Sequence, residues 1–307
     1  MKKILVVGSL NMDSVVYVDH APRVGETIVT QDIRLNPGGK GANQAYAAAK
    51  LGADVSILGA VGDDAFGKAL TDNLKAVGVD TDSLCVLKDS PSGQAFITVN
   101  RDGDNSIVVI SGANARFSID DIDRRMDYLR KANIILLQLE IDPSVVLYTI
   151  KKAKELGKLV ILDPAPARND LPDELFRHVD ILKPNETELS MLTGVDDILN
   201  HLEEATSILL DKGVKNVIVT LGGNGAFLNS RESGIVRISG NPVSVVDTTA
   251  AGDTFTSAVA VELAKGRSLP EAIRTANAIS ALVVTKPGAQ ESIPSEEEAR
   301  KLGIFSD

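Results

Sequence analysis

Six short apolar runs decide what this chain can fold into: residues 4–7, 55–58, 134–139, 159–162, 179–182 and 217–221. Each has strand length and is apolar at successive rather than alternate positions, as strands buried on both faces are. Segments of helical spacing lie between them, such as Phe66, Leu70, Leu74 and Val77, or Val146, Ile150 and Ala153 ahead of a Gly157 stop. Strand, helix and strand in succession predict an α/β fold, a doubly wound, mostly parallel sheet flanked by helices on both sides.

Two stretches break the alternation. Residues 14–35 read as short strands and loops without helical period, and 94–100 and 106–110 flank the turn R-D-G-D-N as the arms of a hairpin. Both are expected to form one small β layer inserted beside the strand ends, where it can act as a lid. No linker rich in Pro, Gly or Ser and no internal repeat divides the 307 residues. The expected organisation is a single α/β domain over residues 1–307 with inserted β lid segments at 14–35 and 94–110.

Charge and cysteine usage narrow the partners. The formal charge is -10, from 32 basic and 42 acidic side chains, without a long Lys/Arg cluster, so nucleic acid is not an expected partner. Cys85 stands alone, which excludes an internal disulfide, and His20, His178 and His201 are too scattered to suggest zinc. The start M-K-K-I-L-V-V-G-S imitates a secretion signal, but polar residues between 8 and 13 cut its apolar run short. No stretch approaches the ~20 apolar residues that span a bilayer. A cytoplasmic protein with no membrane partner is expected.

An α/β fold invites a search for phosphate motifs. V-V-G-S-L-N-M-D after the first strand lacks the G-x-G-x-x-G spacing of a dinucleotide site. G-D-D-A-F-G-K-A at 62–69 follows a Walker pattern to Lys68, but Ala69 stands where a Mg²⁺-holding hydroxyl belongs, so a capped helix start is the better reading. In P-G-G-K-G-A-N at 37–43 the glycines serve equally for close ligand approach or for close packing; Lys40 and Asn43, polar at a crowded turn, favour binding. N-M-D at 11–13 reads as a plain loop or as polar ligands. N-E-T-E at 185–188 reads by itself as a helix start capped by Asn185. Glu140 ends a buried strand and points at the crevice where open α/β sheets bind ligands.

D-T-T-A-A-G-D-T-F at 247–255 carries more. Residues 243–246 are expected as a strand and helix geometry begins near Ala250. The N–H groups of Ala251, Gly252 and Asp253 would then converge on an anion at the positive end of the helix, with Gly252 leaving room for it. Asp253 is either a cap or a base beside the bound phosphate. Phosphoryl transfer needs little more than such a cradle, Mg²⁺ and one positioned base.

Together G-S-L-N-M-D, G-G-K-G-A-N, L-D-P-A-P-A at 162–167, K-P-N-E-T-E at 183–188, T-L-G-G-N-G at 220–225, D-T-T-A-A-G-D-T-F and K-P-G-A-Q at 286–290 resemble the phosphofructokinase-B type carbohydrate kinases. The resemblance runs over essentially the whole chain, in the order and spacing of the members that phosphorylate ribose. It implies that Asp253 deprotonates the 5-hydroxyl of D-ribose, and that Ala250, Ala251 and Gly252 form the anion hole for the γ-phosphate of ATP. It places Asn11, Met12, Asp13, Gly39, Lys40, Gly41, Asn43 and Glu140 around the sugar. Asn185, Thr220, Leu221, Gly222, Gly223, Asn224, Gly225, Gly252 and Asn277 would line ATP; the family commonly has His as well as Asn at the position of Asn277, which leaves nucleotide preference open. Glu188 would act on Mg²⁺ through phosphate or water. Asp247, Thr249, Val283, Lys286, Gly288 and Ser292 match the family's site for K⁺ or another monovalent cation, and since two lids often pair in this family, the resemblance implies a homodimer through the β lid.

Two rivals remain at this point. A kinase for 2-deoxyribose, fructose or a nucleoside is one; stacking a base calls for aromatic residues, yet these are 4% of the chain and only Tyr17 and Phe96 are lid candidates, which favours ribose. A sugar-binding regulator that has lost catalysis is the other, but Asp253, Gly252 and Glu188 are all intact.

Overall fold

The computed structural model describes residues 2–102 and 104–305. Met1, in the signal-like start, and Gly103, in the R-D-G-D-N turn, lie outside the described residues. Among the described residues the strands are β1 (Ile4–Val7), β2 (Asn11–Tyr17), β3 (Ile33–Gly38), β4 (Val55–Leu58), β5 (Ala60–Gly62), β6 (Cys85–Leu87), β7 (Gly93–Val99), β8 (Asn105–Ile110), β9 (Ile134–Leu137), β10 (Leu159–Leu162), β11 (Ile181–Leu182), β12 (Asn216–Thr220), β13 (Ala226–Ser230) and β14 (Gly234–Ile238).

Eight of them form the central sheet in the order β14-β13-β12-β11-β10-β9-β1-β4. All pairings from β12 to β4 are parallel, and only β13 and β14 turn antiparallel at one edge. The apolar runs are continuous because helices cover both faces. Ile4 and Val6 of β1 enter one apolar cluster with Phe255 and Ile273, whereas Leu5 and Val7 enter another with Val146 and Leu209. Burying each such side chain contributes ~1.5–3 kcal/mol, which fixes the strand in place without sequence alternation.

Local signals set the helix ends. Asp64 caps the helix Ala65–Ala76 by accepting the Gly67 N–H at 2.7 Å, and its other oxygen accepts the Ser92 N–H at 2.8 Å. The Walker-like stretch is therefore a helix cap. Gly157, at φ 68°, follows the helix Pro143–Glu155 and stops it as expected.

The irregular stretches build a second sheet in the order β3-β2-β7-β8, with β7 and β8 as the expected hairpin. Its strands begin closer to the main sheet than their sequence bounds indicate: Asn11 at the start of β2 pairs with both Gly38 and Gly93. Residues 243–246 are not a strand. Val243, Val245 and Val246 are exposed, and the Val246 N–H donates to Val284 O at 2.7 Å, so the segment runs beside a helix end. β-branched residues do not make a strand without a partner strand to pair with. Among the described residues no helix is long and apolar enough to cross a membrane.

Candidate active site

The helix Ala251–Ala264 starts from Ala250, which sits in the left-handed region at φ 60°. A side chain there costs roughly 1–2 kcal/mol, and the strain turns the chain sharply into the helix. The Thr254 N–H closes the first turn onto Ala250 O at 2.8 Å, and the Ala251 N–H bends back to Thr248 O at 3.3 Å. Of the three N–H groups of the expected cradle, that of Ala251 is engaged in this way, and those of Gly252 and Asp253 have no acceptor among the described residues. A Cβ on Gly252 would find only Lys183 Nζ at 3.5 Å, so packing does not demand this glycine.

Asp253 lies just inside that end and is 6% exposed. Its Oδ2 accepts from Asn43 Nδ2 and its Oδ1 from Gln44 Nε2, both at 3.1 Å. Burial raises its pKa, with the Asp163 carboxylate adding to the effect; the Lys40 ammonium, the Asn43 bond and Lys183 oppose it. The Asp253 charge in turn holds Lys40 well above the usual lysine range. A buried carboxylate kept available by donors and cations, next to free amide N–H groups, is what a general base for phosphoryl transfer needs.

One wall of the site comes from β2 and the glycine-rich turn. Asp13 has its carboxyl pushed up to about 7 by burial and by the Glu140 and Asp253 charges. Glu140 lies beyond the end of β9, where its Oε2 accepts the Lys40 N–H at 3.0 Å and the Ser9 hydroxyl at 2.5 Å. A Cβ on Gly39 would meet Asn11 N at 2.7 Å, and one on Gly41 would meet Ser9 N at 2.6 Å. Close packing thus explains these two glycines, and Lys40 and Asn43 are the polar groups the turn presents. Met12 departs from the expected sugar set, since its side chain is 4% exposed within the apolar cluster. Period two puts it opposite Asn11 and Asp13.

The other wall comes from the ends of β11 and β12. Asn185 and Glu188 cap the helix Glu186–Thr193 reciprocally: the Glu188 N–H reaches Asn185 Oδ1 and the Asn185 N–H reaches Glu188 Oε2, each at 2.8 Å. Burial and Asp163 also raise the Glu188 pKa, against Lys183. Asn185 bridges to Thr220, the first residue of a turn in which Gly222 and Gly225 have φ of 52° and 94°. A Cβ on Gly225 would meet Ile238 O at 2.0 Å. Asn277 donates to Ser239 O at 2.9 Å, which brings it to the same strip as the Thr220–Gly225 turn. The Leu221 side chain faces the core, so only its main chain is available to a ligand.

The expected cation segments also meet. Asp247 Oδ2 accepts the Gly288 N–H at 2.9 Å, and its Oδ1 accepts the Thr249 N–H at 2.9 Å and hydroxyl at 2.6 Å. Val283 O accepts the Lys286 N–H at 3.2 Å, Ser292 is buried, and the Lys286 ammonium lies outward, 3.9 Å from Glu298.

The motifs singled out in the sequence contain Asp163 and Lys183, and Gln44 directly follows G-G-K-G-A-N, but none of the three was given a role. Lys183 Nζ pairs with Asp163 Oδ2 at 3.0 Å, with both side chains nearly inaccessible at 5% and 2%. Asn114 is a further addition: it donates to Asn11 Oδ1 at 2.8 Å and is itself buried. A polar residue inside an apolar helix, such as Gln44 in A-N-Q-A, was the available signal.

A buried carboxylate beside a helix N-terminus with free amide donors, at the strand ends of an open parallel sheet, suits phosphoryl transfer to a small alcohol. The chain belongs to the pfkB family of carbohydrate kinases, whose family model matches residues 1–296. It is 41% identical over 298 residues to the ribokinase of Haemophilus influenzae, with 97% of each chain covered. It is 39% identical over 296 residues to a deoxyribokinase of Salmonella typhi, with 96% of each covered. The structure of Arabidopsis thaliana ribokinase complexed with ribose and ATP superposes with a TM-score of 0.92 at 38% identity, over 99% of both chains. Thermotoga maritima ribokinase gives 0.91 at 37% identity, over 99% of this chain and 100% of that one.

Proposed function

We propose that this protein is an ATP-dependent ribokinase that transfers the γ-phosphoryl group of MgATP to the 5-hydroxyl of D-ribose, giving D-ribose 5-phosphate and ADP. The observation that carries the reading is the position of Asp253, a buried, hydrogen-bonded carboxylate within one residue of the free Gly252 N–H. Asp253 takes the proton of the 5-hydroxyl as its oxygen attacks the phosphorus. The Gly252 and Asp253 N–H groups and the Lys40 ammonium stabilise the charge on the migrating phosphoryl. Asn11, Asp13, Asn43 and Glu140 take the sugar hydroxyls, for which paired amides and carboxylates are suited. The strip from Asn185 through Thr220–Gly225 to Asn277 takes the nucleotide. Mg²⁺ arrives with ATP, and Glu188 is the acid we assign to it through water.

Three finer assignments belong to the same reading. K⁺ or a similar ion sits among the main-chain oxygens near Asp247, Thr249, Val283, Lys286, Gly288 and Ser292. The second sheet, from β2, β3, β7 and β8, closes over ribose as a lid. Its exposed apolar side chains, including Ile33 (60%), Leu35 (50%) and Val108 (65%), support covering by a second copy, in a homodimer. The protein works in the cytoplasm.

The deoxyribokinase relative keeps 2-deoxyribose as the second acceptor. ADP release measured across ribose, 2-deoxyribose, fructose and nucleosides, with and without K⁺, decides: fastest turnover per KM on ribose is expected, and preference for another acceptor overturns the assignment.

A further inference from the structure

We infer that Gln44 is a positioning residue for phosphoryl transfer: its side-chain amide donates one N–H to Asp253 and the other to Asp163, and so keeps the base ionised and aimed. The inference rests on the kinase reading above.

Gln44 is fully buried in the helix Lys40–Lys50. Its Nε2 lies 3.1 Å from Asp253 Oδ1 and 3.1 Å from Asp163 Oδ2. An amide nitrogen has two hydrogens and no acceptor, so both are used. Its Oε1 accepts from Gln138 Nε2 at 2.6 Å, and Gln138 is also fully buried. A reversed Gln44 amide would set its oxygen against two carboxylates, so the orientation with Nε2 toward the acids is the one that serves them. The main chain is tied as well: the Ser257 hydroxyl is shared between Gln44 O at 2.9 Å and Asp253 O at 2.8 Å.

The chemistry explains why a donor belongs there. Asp163 and Asp253 are neighbouring buried acids, and burial together with the Asp163 charge pushes Asp253 toward its protonated form. The charged groups facing Asp253 are Lys40 from the glycine-rich turn, Lys183 and Asp163 from the ends of β11 and β10, and Asp13 from β2. Lys183 is already bound to Asp163 Oδ2 at 3.0 Å. Gln44 is the neutral group that bridges both acids, and a protonated Asp253 cannot accept the proton of an alcohol.

The test is the pH dependence of kcat at saturating ribose and MgATP for the wild type, Gln44→Met and Gln44→Glu. Saturating ribose holds Asp13 in its bound state. The acid limb of kcat is expected to move up by about one unit or more in Gln44→Met and further in Gln44→Glu, which adds a third carboxylate. The high-pH plateau should stay within about tenfold of wild type and the KM for ATP within about threefold. A purely structural role would lower the rate by one factor at every pH and leave the limb in place. Gln44→Glu keeps the shape of the side chain and reads the same limb if Gln44→Met does not fold. A limb within about 0.3 unit of wild type in a folded variant overturns the inference. Wild-type protein that releases no ADP with ribose overturns the kinase reading instead.

Discussion

Asn43 donates its side-chain amide to the carboxylate of Asp253 at 3.1 Å, across 210 positions of sequence. The bond joins the glycine-rich turn, proposed to hold the sugar, to the late helix whose N-terminus is proposed to receive the phosphoryl group. On that proposal, acceptor site and base are fixed relative to each other before either substrate arrives. Asp253→Asn keeps the volume and the helix start but loses the proton acceptor. Its kcat should fall by roughly a hundredfold or more, the usual scale for a positioned base, with the melting temperature within a few degrees. Near wild-type turnover would remove Asp253 from the base role.

The glycines of the two turns at the site do different work, which makes a paired experiment informative. At Gly252 a Cβ has open space apart from Lys183 Nζ at 3.5 Å. Gly252→Ala should therefore fold, with stability equal or up to ~1 kcal/mol higher from helix propensity, while kcat/KM for ATP falls at least about tenfold because the methyl enters the phosphoryl path. At Gly41 a Cβ would meet Gly8 C and Ser9 N at 2.6 Å. Gly41→Ala should lose on the order of 3 kcal/mol in chemical denaturation. If both variants melt alike and work alike, the cradle is misplaced.

Much of this was legible in the sequence because it depends on neighbours in the chain. Continuous apolar runs announce strands covered on both faces, and the Asp64 and Asn185 caps follow from a side chain reaching three residues along. Asp253 was legible only as a cap or a base, since an acid at a helix start serves either use; the family resemblance, not the spacing, singled out the base. The pairing of Gln44, Asp163 and Lys183 was not legible, since it arises where one helix crosses the ends of two parallel strands. The valines of 243–246 misled for the same reason: β propensity is local, but a strand exists only beside another. Met12 shows the finer limit, where a motif names three consecutive residues and the pleat turns one of them away.

Asp13 gives a stability test with a definite sign. Its carboxyl is raised from 3.8 to about 7 by burial and the neighbouring Glu140 and Asp253 charges. The folded form therefore binds more protons than the unfolded form between those values, and the stability from Asp13 is complete below pH 3.8 and lost as pH rises through about 7. A shift of that size corresponds to at most ~4 kcal/mol, less after screening at a partly exposed side chain. Without ligand, Asp13→Asn should melt above wild type at pH 8, and the gap should close on acidification to pH 4. Ribose binding, measured calorimetrically, should weaken at least about tenfold. A gap that stays constant with pH would show that the ionised carboxylate carries no strain.

The second sheet should stiffen when sugar binds, and the argument lies in its gradient of burial. At its inner end Asn11 is 5% exposed and pairs with Gly38 and Gly93, while Tyr17 at the outer end is 46% exposed and β8 is exposed along its whole length. The proposed sugar ligands Asn11 and Asp13 sit at the anchored end, so ribose opposes any opening that separates β2 from the glycine-rich turn. At about a hundred times its Kd a ligand adds ~2.7 kcal/mol to an opening that must release it, close to a hundredfold in exchange rate. Amide exchange in residues 14–35 and 94–110 should therefore slow with ribose, most in β2 and β7, while the 18–32 connection changes least unless a true closure brings it down. Equal exchange with and without ribose would leave the sheet a fixed appendage, and the lid reading would fall with it.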